Sequence, residues 1–83
     1  MPDNTSKSWN LTKVRCLAGS RANERPTSFL IEKREVEVLT ILRSWREPDF
    51  LYFQVETGDR RVYDLRHHEY EDFWEVRDSA HRA

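Results

Sequence analysis

The stretch Asp49 to Leu65, DFLYFQVETGDRRVYDL, decides the fold. Leu51, Phe53 and Val55 alternate with Tyr52 and Gln54, and a period of two from Phe50 to Thr57 reads as a half-buried strand. Thr57-Gly58-Asp59-Arg60 interrupts it as a hairpin connection in which Gly58 is available for a positive φ. Arg61 to Arg66 then returns with Tyr63 and Leu65 on one face. Two strands joined by a tight turn form a hairpin, and the rest of the chain is read outward from it.

Upstream, Glu47-Pro48-Asp49 is a turn. Glu35 to Arg46 fits two patterns. As a helix it places Val38, Ile41, Leu42 and Trp45 on one stripe. As a strand it alternates Val36, Val38, Thr40 and Leu42 with Glu35, Glu37, Leu39 and Ile41. Its β-branched content favours the strand, bending and becoming buried on both faces at Leu39 and Ile41. Phe29-Leu30-Ile31 is a short strand. Glu32 to Arg34 is a tight polar connection that suits a hairpin, and polar Arg21 to Thr27, with Pro26, is a loop. Val14, Cys16 and Ala18 share a face opposite Lys13, Arg15 and Leu17. Downstream, His67 to Asp72 is a polar turn, and Phe73 to Arg77 is a last strand with Trp74 and Val76 together.

The expected fold is all-β, a small barrel or curved sheet of five to six antiparallel strands. The alternative is α+β with residues 35–46 helical. Residues 1–8 read as a disordered leader, 9–78 as one small β domain and 79–83 as a flexible tail. A chain of 83 residues is one domain. Its Trp, Tyr and Phe side chains are numerous enough to build one core without disulfide or metal.

Cys16 is the single cysteine, which excludes an intrachain disulfide and suits a reducing, cytoplasmic setting. Met1 to Ser8 has no apolar segment of a secretory signal. No apolar run approaches the roughly 20 residues that span a bilayer, so no membrane partner is expected. Basic and acidic residues number 14 and 15 for a net charge of −1, unlike a strongly basic nucleic-acid binder. The distribution is uneven: Lys7, Lys13, Arg15, Arg21 and Arg25 outweigh Asp3 and Glu24 up to Ile31, and the remainder is acidic on balance. Most of the basic residues are arginine, which pairs with carboxylates or phosphates in a two-pronged fashion.

Four segments, ERPTSF (24–29), EVEVLTILRSW (35–45), DFLYFQVETGDRRVYDL (49–65) and FWEV (73–76), together resemble a family of short uncharacterised bacterial domains. The family pattern has Pro and Phe before a hairpin, then a Val-rich strand ending in Trp. An aromatic strand, a Gly turn and a final Trp-x-Val follow. The resemblance spans roughly Arg15 to Asp78. Such domains stand alone, and similar sequences resemble the C-terminal appendage of some Y-family DNA-polymerase-like proteins. The resemblance therefore implies nucleic acid as a candidate partner and transfers no catalytic residue.

Phosphate-binding glycine loops are absent, since Gly19 and Gly58 sit in neither GxGxxG nor GxxxxGK[ST]. No cofactor is expected and no catalytic residue is singled out. Cys16, on the face expected to be buried, reads as a small apolar side chain rather than a nucleophile. His67-His68, followed by Glu69, Glu71 and Asp72, offers weak metal-ligand candidates, because neighbouring residues on a strand point to opposite faces and no second ligand motif exists.

Two surfaces remain. Lys13, Arg15, Arg21 and Arg25 would form a basic rim for single-stranded nucleic acid. Trp45 and Phe50, around the Glu47–Asp49 turn, would form a peptide-binding spot if exposed, although Trp45 at the end of an apolar strand reads as core. The sequence thus reads as a non-catalytic interaction module, monomeric or weakly dimeric. It would bind nucleic acid or a nucleic-acid-processing protein, with a protein adaptor or a small metal-binding protein or enzyme as alternatives.

Overall fold

A computed structural model describes residues 8–17 and 25–79. Seven strands follow in order: β1 (Asn10–Thr12), β2 (Val14–Cys16), β3 (Pro26–Ile31), β4 (Arg34–Glu47), β5 (Phe50–Thr57), β6 (Val62–His68) and β7 (Phe73–Asp78). The fold is all-β, with no helix among the described residues, and the 35–46 segment is strand. The expected loop at Arg21–Thr27 gives way at Pro26, where β3 begins. The expected turn at His67–Asp72 begins later, because β6 continues through His68. Of the expected leader and tail, Ser8 and Ser79 are described and the rest lies outside the described residues.

From β3 to β7 the chain is a meander, each strand antiparallel to the next. The sheet order β1-β7-β6-β5-β4-β3-β2 brings the first two strands to opposite edges. β1 pairs with β7, β2 pairs with β3, and only Lys13 separates β1 from β2. One nearly continuous extended segment therefore bridges the two edges and almost closes the sheet into a barrel. At the seam the Thr12 hydroxyl donates to the Leu30 carbonyl at 2.7 Å and accepts from the Leu30 N–H at 3.1 Å. The same N–H faces the Lys13 carbonyl at 3.2 Å. The described residues hold seven strands rather than five to six. Asn10–Thr12 carries no alternation strong enough to announce a strand, and the Lys13 break divides the bridging segment in two.

The core holds Phe29, Phe53, Val55, Tyr63, Leu65, Trp74 and Val76. Phe29 meets Tyr63 edge to face, and Phe53 stacks on Trp74 with centroids 5.9 Å apart. Val14, Cys16, Val36, Val38 and Ile41 pack around them, so the β2 face read from Val14 and Cys16 does point inward. Burying such side chains contributes roughly 1.5–3 kcal/mol each before conformational entropy is counted. The core does not take all the aromatics. Trp9, Trp45, Phe50, Tyr52, Tyr70 and Phe73 lie outside it.

β4 explains part of that difference. Its first residues pair with β3, and Val38 to Glu47 pairs with β5. The β5 register skips Leu39 and Leu42, each an extra residue at a bulge. Leu39 is 64% exposed and Leu42 45% exposed, so β4 is not buried on both faces as its sequence suggested. The bulges turn Ile41 inward and both leucines outward.

The turns also depart from glycine chemistry. In the two-residue β3–β4 hairpin, Ile31 pairs with Arg34, and Glu32 and Lys33 have φ of 50° and 71°. Positive φ at both central positions is the primed turn that matches strand twist, usually built from Asn-Gly. At the β5–β6 turn the left-handed residue is Arg60, with φ 66°, and not Gly58. Arg60 N–H donates to Thr57 O and Thr57 N–H to Arg61 O, both at 3.0 Å. This is a three-residue loop whose last member is left-handed.

Candidate partner-docking face

Alternation fixes which side chains face outward. On β5, Phe53, Val55 and Thr57 are buried, which leaves Phe50, Tyr52 and Gln54 on the outer face. On β6 the outer residues include Asp64, Arg66 and His68, and on β7 they are Phe73, Glu75 and Arg77. Register then assembles rows across the strands. One row is Trp45, Tyr52, Arg66, Glu75 and Leu11. A second is Glu47, Phe50, His68 and Phe73, and a third is Arg43, Gln54, Asp64 and Arg77.

The rings in these rows touch. Trp45 and Tyr52 stack with centroids 5.0 Å apart and planes 2° from parallel. Trp9 approaches Tyr52 edge-on at 6.2 Å, and Phe50 lies 5.9 Å from Tyr52. His68 stacks on Phe73 at 4.9 Å and meets Phe50 edge to face at 5.0 Å. Guanidinium groups lie on the rings. Arg66 sits 4.1 Å from the Trp9 centroid and 4.2 Å from that of Phe50. Arg77 sits 4.4 Å from Trp9, and Arg43 is 4.6 Å from Trp45. Cations over aromatic faces are attracted by the ring quadrupole, worth about 0.5–1 kcal/mol at exposed sites.

Two of these charges are cancelled on the same face. Arg66 donates through Nε to Glu75 Oε1 at 2.7 Å, and its Nη2 lies equally close. Arg77 Nε donates to Asp64 Oδ2 at 3.1 Å, while Gln54 donates to the other Asp64 oxygen at 3.4 Å. Arg43 has no carboxylate partner among the described residues. At one end of the face the β4–β5 and β6–β7 turns stand side by side, joined by a bond from Glu69 N–H to Asp49 O of 3.2 Å. They expose Glu47, Asp49, Glu69, Glu71 and Asp72, of which Glu69 accepts from Arg46 at 2.5 Å. Tyr70, between them, is 81% exposed. The face is aromatic with cancelled charge at its centre and acidic at this end.

Of the residues singled out in sequence, Trp45 and Phe50 stand together on this face, half-buried, and Trp45 is not core. Its parity along β4 sends it to the side of Tyr52. Lys13 and Arg15 lie elsewhere, lining a concavity of about 350 Å³ with Ser28, Leu30 and Glu35. Arg15 Nε is 3.4 Å from Glu35 Oε2, which also accepts from the Ser28 hydroxyl at 2.7 Å. Arg25 is exposed just before β3, and its carbonyl accepts from Leu17 N–H. Arg21 lies outside the described residues.

His67 and His68 diverge, as adjacent strand residues must. His67 is buried on Trp74, and its Nε2 donates to Asp72 Oδ1 at 2.8 Å. His68 faces outward, and its Nδ1 accepts from Glu71 N–H at 3.1 Å. Among the described residues no group of three His, Cys, Asp or Glu side chains is arranged to hold a metal. Far along the barrel, the Thr57 hydroxyl bond holds the Asp59 carboxyl below the ordinary aspartate range, helped by Arg61.

Trp9, Tyr52, Arg66, Phe73 and Arg77 were not read as site residues. The period-two pattern already separated Tyr52 from Phe53 and Phe73 from Trp74. No sequence signal tells that Trp9 folds onto two arginines of distant strands.

No family model matches the chain, and neither the curated proteins nor the solved structures yield a match. Among the described residues no helix is long and apolar enough to cross a membrane.

Proposed function

We propose that this chain is a non-catalytic interaction module that docks a protein partner on the outer face of β4–β7. One observation carries the reading. Six aromatic side chains stand outside the core, most of them in mutual contact, and arginine side chains lie on three of them, Trp9, Trp45 and Phe50. Tyr, Trp and Arg are the residues that dominate protein-interface hot spots. Leu11, exposed and paired with Glu75, extends the apolar area of one row of the face. The pairing of Arg66 with Glu75 and Arg77 with Asp64 weakens the positive field that phosphates require, which favours protein over nucleic acid. The resemblance to short bacterial domains, some resembling polymerase appendages, makes a protein of nucleic-acid metabolism the partner class to try first.

The test is a selection of random displayed peptides against the folded chain, followed by ¹H–¹⁵N shift mapping. Binders whose shifts cluster on Trp45, Phe50, Tyr52 and Phe73 support the reading. Binders that map only to Lys13, Arg15 and Arg25, or a single-stranded oligonucleotide that shifts the β4–β7 face in a salt-dependent manner, overturn it.

A further inference from the structure

We infer that the occupant of the outer face is a cationic peptide segment, seated with an arginine or lysine over the Tyr70–Phe73 end. The inference rests on the docking reading above and adds the chemistry of the partner. The rings of this face already display their preferred neighbour: Trp9, Trp45 and Phe50 each carry a guanidinium of the chain itself. Tyr70 and Phe73 carry none among the described residues, and Tyr70 stands almost fully in solvent. Their rings adjoin through His68, which lies 6.3 Å from Tyr70 and stacks on Phe73.

The charge around these two rings is negative. Glu47, Asp49 and Glu71 have no Lys or Arg partner among the described residues, whereas the arginines further along the face are paired with Asp64 and Glu75. Asp72, 84% exposed at its side chain, touches only the His67 ring among the ionic partners described. A guanidinium placed over Tyr70 would find the ring below and carboxylates at its rim, reproducing the arrangement of Arg66 between Trp9, Phe50 and Glu75. Apolar neighbours in the peptide would rest on Phe50 and Tyr52. Phosphate groups would be repelled from this end, as would an acidic peptide.

The experiment titrates the ¹⁵N-labelled full chain with an alternating arginine–glycine peptide and with its citrulline isostere, which has the same shape and no charge. The expected result is shifts at Asp49, Phe50 and His68 to Phe73 with the arginine peptide, at least tenfold weaker affinity for citrulline, and weakening as salt rises. Tyr70→Ala should reduce affinity about two- to fivefold, the worth of one exposed cation–π contact. Because Tyr70 lies outside the core, that variant should stay folded, and Glu71→Gln gives a second handle independent of the ring. Equal affinity for the citrulline peptide overturns the inference, as does an acidic peptide preferred at the same residues, and both leave the docking face standing. If no peptide, those selected at random included, shifts the residues of this face, both readings are overturned.

Discussion

Replacing Thr12 with valine removes one hydroxyl from the seam that closes the barrel. That hydroxyl serves Leu30 twice, donating to its carbonyl and accepting from its N–H. In Thr12→Val the N–H keeps the Lys13 carbonyl as a partner, so the uncompensated loss falls on the Leu30 carbonyl. Losing one such bond and leaving a part-buried acceptor unmet costs about 1–2 kcal/mol. In a domain of this size each kcal/mol moves Tm by about 4–8 °C, so a fall of about 4–16 °C is expected. Urea unfolding of wild type, Thr12→Val and Thr12→Ser measures it directly, because serine keeps the hydroxyl and loses only a methyl group. Hydrogen exchange should quicken first at Asn10–Thr12 and Val14–Cys16. If Thr12→Val lies within about 0.3 kcal/mol of wild type, or serine is as damaging as valine, the hydroxyl does not hold the seam and the reasoning fails.

Three further outcomes are expected. Glu32→Asn with Lys33→Gly places a favoured primed-turn pair where both φ angles are positive, and should stabilise by about 1 kcal/mol in thermal unfolding; no gain would mean the turn relaxes at little cost. Arg66→Lys keeps the charge but loses the flat contact with Trp9 and Phe50 and the two-nitrogen hold on Glu75. It should cost about 1–2 kcal/mol and change the tryptophan emission, whereas an unaltered spectrum and stability would discount the stacking. The folded-state pKa of Asp59 is depressed, so its contribution to stability is present above the ordinary aspartate value. It is lost as pH falls through that value toward the folded one. Asp59→Asn should flatten that part of the acid unfolding profile, and a profile identical to wild type would show that the Thr57 bond does not matter.

Much of the sheet was legible in the chain. Period-two alternation marked β5, β6 and β7 and put Phe53, Val55, Tyr63, Leu65, Trp74 and Val76 inward, since each strand has one buried face. Trp45 shows how the same rule went unused. Counted by parity from Val38 it points outward, because the extra residues Leu39 and Leu42 shift the phase twice and restore it. Hydrophobicity alone had assigned it to the core. The bulges were not legible, because an extra residue changes no local propensity and shows only against the partner strand. Nor was Asn10–Thr12 legible, since its strand exists through pairing with Val76, Glu75 and Trp74. The candidate face was half legible: Trp45 and Phe50 were named, while the arginines reached it through register and Trp9 through its contacts with Arg66, Arg77 and Tyr52.

The seam segment also sets the order in which the molecule can assemble. The hairpins from β3 to β7 join strands that follow one another in the chain, so each closes a short loop at small entropic cost. Asn10 meets Val76 only after nearly the whole chain lies between them. On a ribosome the bridging segment emerges before β3 to β7 and finds its second edge last. Folding should therefore proceed as a meander that forms early, with β2 added to β3 by a local pairing, and a closure by β1 that waits, leaving β7 with a bare edge in the interval. That interval, rather than the finished barrel, is when this chain is most exposed to pairing with its neighbours.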